Sequence, residues 1–301
     1  MSLRGGSKGF FLFIILIFGA GTIFVVTKLG VRAIFRWLEK KYFAYLGDQG
    51  GLITVKFGRW EEIGRGLWIQ ERIFKRRRHW SRITLKVVRF RPEYYSVGLY
   101  WGEPKFASQI VAMKGVTAAI NGGPFLPNRK PWGLFVSFGR KVVGNLISRK
   151  YDGLCLIRDG RISLELARKW SGSLDRGLSL FQSSPMLVYE SSGVSLPPRP
   201  WRVDRRSAIC IDHSGFVLFF TTLEKFNGLS YYELRRLMLF SRVKGGFYCR
   251  WALNLDGGSS SQMGVRMGGK LWVVDGQKPS PIFLVLRPAV GSEVRDNTSK
   301  K

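Results

Sequence analysis

From Leu52 onward the chain is a succession of short runs rich in β-branched and aromatic residues that never settle into alternation with helices. "LITVKF" (52–57), "GLWIQERIF" (66–74), "ITLKVVRF" (83–90) and "YSVGLYW" (95–101) are separated by Gly, Pro or charge, the pattern of strands in a sheet. "VTAAI" (116–120), "GLFVSF" (133–138), "PMLVYE" (185–190), "RWALNL" (250–255) and "PIFLVLRP" (281–288) continue it. Two hairpins are expected, one turning at Asp159-Gly160 within 153–164 and one at Ser214-Gly215 within 207–222. Only two helices stand out. One covers 104–115, with Pro near its start and Gly at its end; the other covers 229–243. In the second, Ser230 and Glu233 form a capping box flanked by Leu229 and Leu234, and Gly245-Gly246 follow as a C-cap. Such a pattern predicts an α+β fold with a mostly antiparallel or mixed sheet and argues against a doubly wound parallel sheet.

Ahead of this region lies a different kind of sequence. Residues 9–27 are uncharged and of the length that crosses a bilayer as a helix. Arg4 and Lys8 precede the stretch and no small-x-small cleavage site follows it, so an uncleaved signal anchor is expected, with a cleaved signal peptide as the alternative. The expected organisation is a transmembrane segment over 1–31, a basic stem over 32–50, a catalytic-size domain over 51–288 and a loose polar tail over 289–301. Lys28, Arg32, Arg36, Lys40 and Lys41 crowd the far flank, which by the positive-inside rule alone would keep the domain cytoplasmic. The entire chain is basic, so that flank carries less information, and an extracytoplasmic domain is the expectation.

The basic character itself is large: 49 Lys+Arg against 20 Asp+Glu give a formal charge of +29. A field of this size favours polyanions, including anionic lipid headgroups and phosphate-bearing polymers. No nucleic-acid-binding motif surrounds the densest run, Lys75-Arg76-Arg77-Arg78, so nucleic acid is not expected as a partner. The 3 cysteines, Cys155, Cys210 and Cys249, match no zinc or redox spacing, and there are only 2 histidines. No metal or cofactor is expected; three thiols permit at most one internal disulfide, which does not fix the compartment, and buried, unreactive cysteines are the default.

Two of the strands end in similar punctuation. "AAINGG" stops at Gly123 and "ALNLDGG" stops at Gly258. Each delivers an Asn at a strand end and then glycines that let backbone turn tightly and approach a ligand closely. If the two ends lie side by side, Asn121, Gly122, Gly123, Asn254, Asp256, Gly257 and Gly258 line one pocket. Their successive amides would form an anion nest, and Ser259 and Ser260 would add hydroxyl donors. Arg205 or Arg206, entering a strand in "DRRSAI", supplies the planar fork that suits phosphate. Phosphate together with a carboxylate that moves protons suggests cleavage beside a phosphate group. Each motif alone has a plainer explanation as a turn, a loop or a surface charge.

In combination and order, "AAINGGPF", "SSPMLVYESSG", "DRRSAICID", "GLSYYELRRLM" and "ALNLDGGSSSQM" resemble the phosphodiester glycosidase family. The resemblance covers about Leu52 to Leu286. It implies hydrolysis of the bond between a sugar's anomeric carbon and a phosphodiester oxygen, and it places Asn121, Arg206, Asn254, Asp256, Gly257 and Gly258 at the active site. Pro124 stands where the family carries an aromatic residue, and Ser207, Cys210 and Ser259 also depart from its pattern, which bears on substrate identity more than on reaction type. Asp256 would be nucleophile or base. Glycosidases ordinarily pair two carboxylates, and Glu224 or Asp212 is the expected partner. The competing expectation is a non-catalytic envelope protein that binds anionic glycopolymer or lipid.

Overall fold

The structure, a computed structural model, describes residues 52–76, 82–144, 146, 152–172, 174–197, 202–224, 227–242 and 245–289. All of these belong to one compact unit, Gly50–Lys301. The anchor over 1–31, the stem over 32–50, the basic run beyond Arg76 and the tail beyond Ala289 lie outside the described residues. No helix among the described residues is long and apolar enough to cross a membrane.

The described residues form three antiparallel sheets. The nine-stranded sheet runs in the order Leu52–Phe57, Leu67–Arg76, Arg82–Phe90, Val217–Thr222, Ser207–Asp212, Cys249–Asn254, Met186–Tyr189 and Ser192–Gly193, with Glu61–Gly64 paired to Leu67–Arg76. A second sheet orders Arg161–Leu166, Gly153–Arg158, Leu178–Ser183, Phe135–Ser137 and Arg140–Val143. A third orders Lys270–Val274, Met263–Met267, Ala118–Asn121, Ser280–Pro288 and Tyr95–Lys105. Every pairing among the described residues is antiparallel, so the parallel component of a mixed sheet is absent from them.

Alternating side chains of all three sheets meet in one core, where Phe90, Phe135, Phe181, Ile209, Phe219, Leu253, Met263 and Leu284 are almost fully buried. The other face of the nine-stranded sheet is covered by a helix, Tyr231–Leu239, whose Leu234, Leu237 and Met238 pack with Ala208, Phe220 and Ala252. A second helix, Ala107–Ala112, seats Ile110 and Val111 on Ala119, Phe283 and Val285 of the third sheet. Helices on the outer faces let strands buried on both sides read as continuous apolar runs, as "VLFFTT" does.

Both expected hairpins form. Asp159 and Gly160 take φ 50° and 75°, the left-handed pair that a two-residue turn demands. The capping box is present, with Ser230 Oγ accepting from Glu233 N–H at 3.2 Å and Glu233 Oε2 accepting from Ser230 N–H at 2.7 Å. Both helices are shorter than the sequence suggests. The first loses its N-terminal part because strand Tyr95–Lys105 stays paired with Ser280–Pro288 as far as Lys105, which holds Pro104 extended. The second stops at Leu239 because Phe240 turns to ψ 143°. Gly245-Gly246 lie in the return turn instead of capping the helix: the backbone of Phe240 packs where a Gly246 side chain would be. The hairpin Met263–Met267/Lys270–Val274 and the strand Leu178–Ser183 were not expected.

The cysteine expectation needs correction. Ser207–Asp212 and Cys249–Asn254 are adjacent strands, and a bulge brings Cys210 and Cys249 to a Cα separation of 5.8 Å, where they form a disulfide. Cys155 is free and buried, and burial pushes its thiol pKa upward.

Candidate active site

The two punctuated strand ends do lie side by side. Asn121 closes strand Ala118–Asn121, and its Nδ2 donates to the Asp256 carbonyl at 2.8 Å while its Oδ1 accepts from Gln262 N–H at 3.0 Å. Asp256 N–H in turn donates to the Gly122 carbonyl at 2.9 Å. Asn121 is wholly buried, so its amide is a clamp holding the backbone on both sides of the Gly257–Ser261 turn. Asn254 has a parallel task. Its Nδ2 donates to the carbonyls of Ser184 and Leu255 at 2.7 and 2.6 Å, and Ser183 Oγ donates to the Asn254 carbonyl at 2.7 Å. The buried Oδ1 of Asn254 has no partner among the described residues.

Asp256 projects its carboxyl from this clamped backbone. Burial, the largest cause, and the negative charge of Asp204 push its pKa from the ordinary 3.8 up to about 6; hydrogen bonds from the Ser260 hydroxyl and Gly257 N–H oppose the rise. Gly257 N–H donates to Oδ1 at 3.1 Å. The result is a carboxyl that changes protonation close to neutrality, as acid–base catalysis requires.

Arg206 is fixed behind this turn. Nε donates to the Leu229 carbonyl at 2.9 Å and Nη2 to the Arg202 carbonyl at 2.8 Å, and the guanidinium lies 3.9 Å from the Tyr231 ring centroid. Nη1 is turned toward Gly257, 3.4 Å from the position a Cβ there would take. Burial lowers its pKa, yet a guanidinium remains cationic at neutral pH. Arg205 is aimed elsewhere, donating from Nη2 to the carbonyls of Ser261 and Asp275.

The glycines serve a different purpose from the anion nest expected of them. Gly122 N–H donates to the Ile282 carbonyl at 2.8 Å and Gly258 N–H to the Arg205 carbonyl at 3.0 Å, and Gly257 N–H is held by Asp256. These amides are already satisfied. What the positions require is absence of a side chain: a Cβ at Gly122 would lie 2.5 Å from Ile282 Cγ2, and one at Gly123 would lie 2.6 Å from the Gln182 carbonyl oxygen. Gly258 has φ 61°. Of the serines, Ser260 reaches the Asp256 carboxyl, whereas the Ser259 carbonyl accepts from Gln277 and Lys278 N–H at 2.8 and 3.1 Å.

The expected partner carboxylates are placed differently. Asp212 sits at the far end of its strand, about 20 Å of chain from Arg206. There it accepts from Ser214 and Phe216 N–H and pairs with Arg242 at 2.7 Å. Glu224 accepts from Thr84 N–H through Oε1, and its charge acts on Arg205. The carboxylate whose charge reaches Asp256 is Asp204. Its Oδ1 and Oδ2 lie 3.5 and 3.6 Å from the Cβ position at Gly258, and its backbone is bridged to Leu229 in both directions. Its only sequence signal is its place just before Arg205 in "DRRSAI", where the arginines draw the eye.

The site thus joins a titrating carboxyl on a glycine turn to a fixed arginine behind it, on an antiparallel scaffold. The sequence profile of the phosphodiester glycosidases matches residues 114–286, and the chain belongs to that family. No curated protein matches the chain. Among solved structures, the zebrafish N-acetylglucosamine-1-phosphodiester alpha-N-acetylglucosaminidase catalytic domain, auto-inhibited by its pro-peptide, is similar with a TM-score of 0.55 at 14% identity. The match covers 81% of this chain and 92% of that one. A hypothetical protein from Synechocystis (TM-score 0.52, 13% identity, 80% and 68% covered) and an exported protein from Burkholderia pseudomallei (0.51, 15%, 69% and 74%) share the fold.

Proposed function

We propose that this phosphodiester glycosidase is a membrane-anchored enzyme that hydrolyses a sugar-1-phosphodiester of a glycan, glycolipid or cell-envelope polymer on the extracytoplasmic side. The observation that carries the reaction is the Asp256 carboxyl, held near neutrality on a backbone clamped by Asn121 and faced by the Arg206 side of Gly257. Asp256 takes a proton from water, the water oxygen bonds to the anomeric carbon, and the bond from that carbon to the bridging oxygen breaks. The bridging oxygen leaves with its electron pair on a phosphate monoester. That group is already a good leaving group and needs little acid assistance. Arg206, whose Nη1 is turned toward Gly257, would hold the charge of the phosphate. No metal or cofactor enters the scheme.

The uncharged stretch at 9–27 supports anchoring. The Cys210–Cys249 disulfide supports an oxidising compartment, and the formal charge of +29 suits a phosphate-bearing substrate. Incubation of the purified protein with sugar-1-phosphodiesters should release free sugar and a phosphate monoester, and Asp256→Asn should abolish the release. Salt-sensitive binding of anionic glycopolymer without turnover would favour a binding protein instead. A C-terminal reporter active only outside the cytoplasm tests the topology.

A further inference from the structure

The turn that carries Asn121, Gly122 and Gly123 is bordered by two exposed indoles. Ile282 packs where a Gly122 side chain would be, and Ile282 is the cross-strand partner of Trp101. Cross-strand partners present their side chains on one face, so Trp101 shares a face with Ile282, whose side chain packs against Gly122. Phe181 Cδ2 lies 2.7 Å from the Cβ position at Gly123, Phe181 pairs with Phe135 across neighbouring strands, and the Phe135 ring meets the Trp101 ring at 5.6 Å. A second path starts at Pro124, whose carbonyl accepts from Trp132 N–H at 2.9 Å. The loop between them is folded on itself, and its Arg129 pairs with Glu103 at 3.1 Å, just beyond Trp101 on the same strand.

Trp101 is 42% exposed and Trp132 38%. Of the other large exposed aromatics among the described residues, Phe57 and Tyr232 belong to the nine-stranded sheet and its helix, Tyr248 precedes strand Cys249–Asn254, and Phe138 follows strand Phe135–Ser137 of the second sheet. A tryptophan offers a flat apolar face with a polar edge. A pyranose ring has apolar C–H faces and a hydroxyl rim, and so matches it in shape and polarity.

We propose that Trp101 and Trp132 form a platform for a second sugar ring at the mouth of the active site, and that the substrate is therefore an oligosaccharide phosphodiester rather than a single sugar on phosphate. The proposal rests on the hydrolase reading of Asp256. The reacting sugar sits at Asp256, and the next ring along the saccharide lies against the indoles, beyond the Gly122–Gly123 turn. Pro124, at the root of the Trp132 loop, sets where that loop departs.

The test compares a monosaccharide-1-phosphodiester with the matching trisaccharide-1-phosphodiester. In Trp101→Ala and Trp132→Ala, KM for the trisaccharide should rise about tenfold, while kcat/KM for the monosaccharide stays within about twofold of wild type. Equal losses on both substrates, or no loss on either, overturn the platform. A binding readout separates the two ideas: the Asp256→Asn protein is titrated with the free trisaccharide and its tryptophan fluorescence followed. Should the wild type cleave neither phosphodiester, the activity reading fails; a fluorescence change lost in Trp101→Ala still supports the platform, and no change in any protein overturns it.

Discussion

Asp256→Asn should inactivate the enzyme and stabilise it at the same time, and the two effects can be separated by pH. The carboxyl's pKa rises from 3.8 to about 6 on folding, which makes the ionised form about 3 kcal/mol less favourable in the native state than in the unfolded chain. The sign follows from linkage. The native protein binds this proton more tightly than the unfolded chain does, so the associated stability is present below pH 3.8 and lost as pH rises through about 6. At pH 7.5 the wild type therefore carries the full cost of a desolvated carboxylate. Asparagine is nearly isosteric, keeps an oxygen that can accept from Gly257 N–H and Ser260, and has no charge to desolvate.

For a domain of this size about 3 kcal/mol corresponds to about 6 to 12 °C in Tm. Thermal melts of the two proteins in matched buffers should show the variant higher by that amount at pH 7.5, with the gap closing toward zero near pH 4. Release of sugar from a glycosyl phosphodiester, assayed at pH 7.5, should be lost. A variant that melts no higher than wild type at pH 7.5, or whose advantage persists undiminished at pH 4, would refute the claim that a partly desolvated, proton-hungry carboxyl sits at the centre of this site.

In the wild type, kcat/KM should rise with pH through about 6 as Asp256 ionises; Asp204→Asn removes a charge that favours the protonated form, so the midpoint of the acid limb should move to lower pH, and an unmoved midpoint would exclude that coupling. Gly123→Ala forces a Cβ to 2.6 Å from the Gln182 carbonyl and should cost about 1–3 kcal/mol in urea unfolding with a fall in activity. Gly215→Ala, at φ 80° with no heavy atom within 4 Å of its Cβ position, should cost about 1 kcal/mol from backbone strain alone and leave kcat/KM intact. Replacing both Cys210 and Cys249 by Ala opens a link across 39 residues, worth about 4 kcal/mol in chain entropy; urea midpoints that match those of the wild type would show that the bond contributes nothing.

The sheets were legible wherever local chemistry decided the outcome. Asp159-Gly160 dictates a two-residue turn, and Ser230 with Glu233 starts a helix whatever surrounds it. Where tertiary pairing decided, the sequence misled. "PKFASQ" has the composition of a helix start, yet a strand partner at Ser280–Pro288 holds its first residues extended. The Gly245-Gly246 pair resembles a C-cap but serves the packing of a return turn. The disulfide was invisible for the same reason: its spacing of 39 residues becomes a contact only once Ser207–Asp212 and Cys249–Asn254 are neighbours.

At the site, sequence gathered the residues, but the work it assigned to the asparagines and glycines was not the work they do. Asn121, Asn254, Asp256, Arg206 and the glycines do come together, because strand ends bearing Asn and Gly are among the few places where backbones can approach this closely. Their polar groups then face two demands, satisfying buried backbone and meeting a ligand. Hydrogen bonding settles the division. Asn121 and the Asn254 amide are committed to carbonyls within the fold, as are three glycine amides to carbonyl or carboxyl oxygens, and each would be expensive to withdraw. Beside that clamped backbone stand the Asp256 carboxyl, the Arg206 Nη1 turned toward Gly257 and the Asn254 Oδ1, which has no partner among the described residues. Sequence already singled out Asp256 for the proton and Arg206 for the phosphate; accounting for donors and acceptors adds that Asn121, the Asn254 amide and three glycine amides hold the backbone around them.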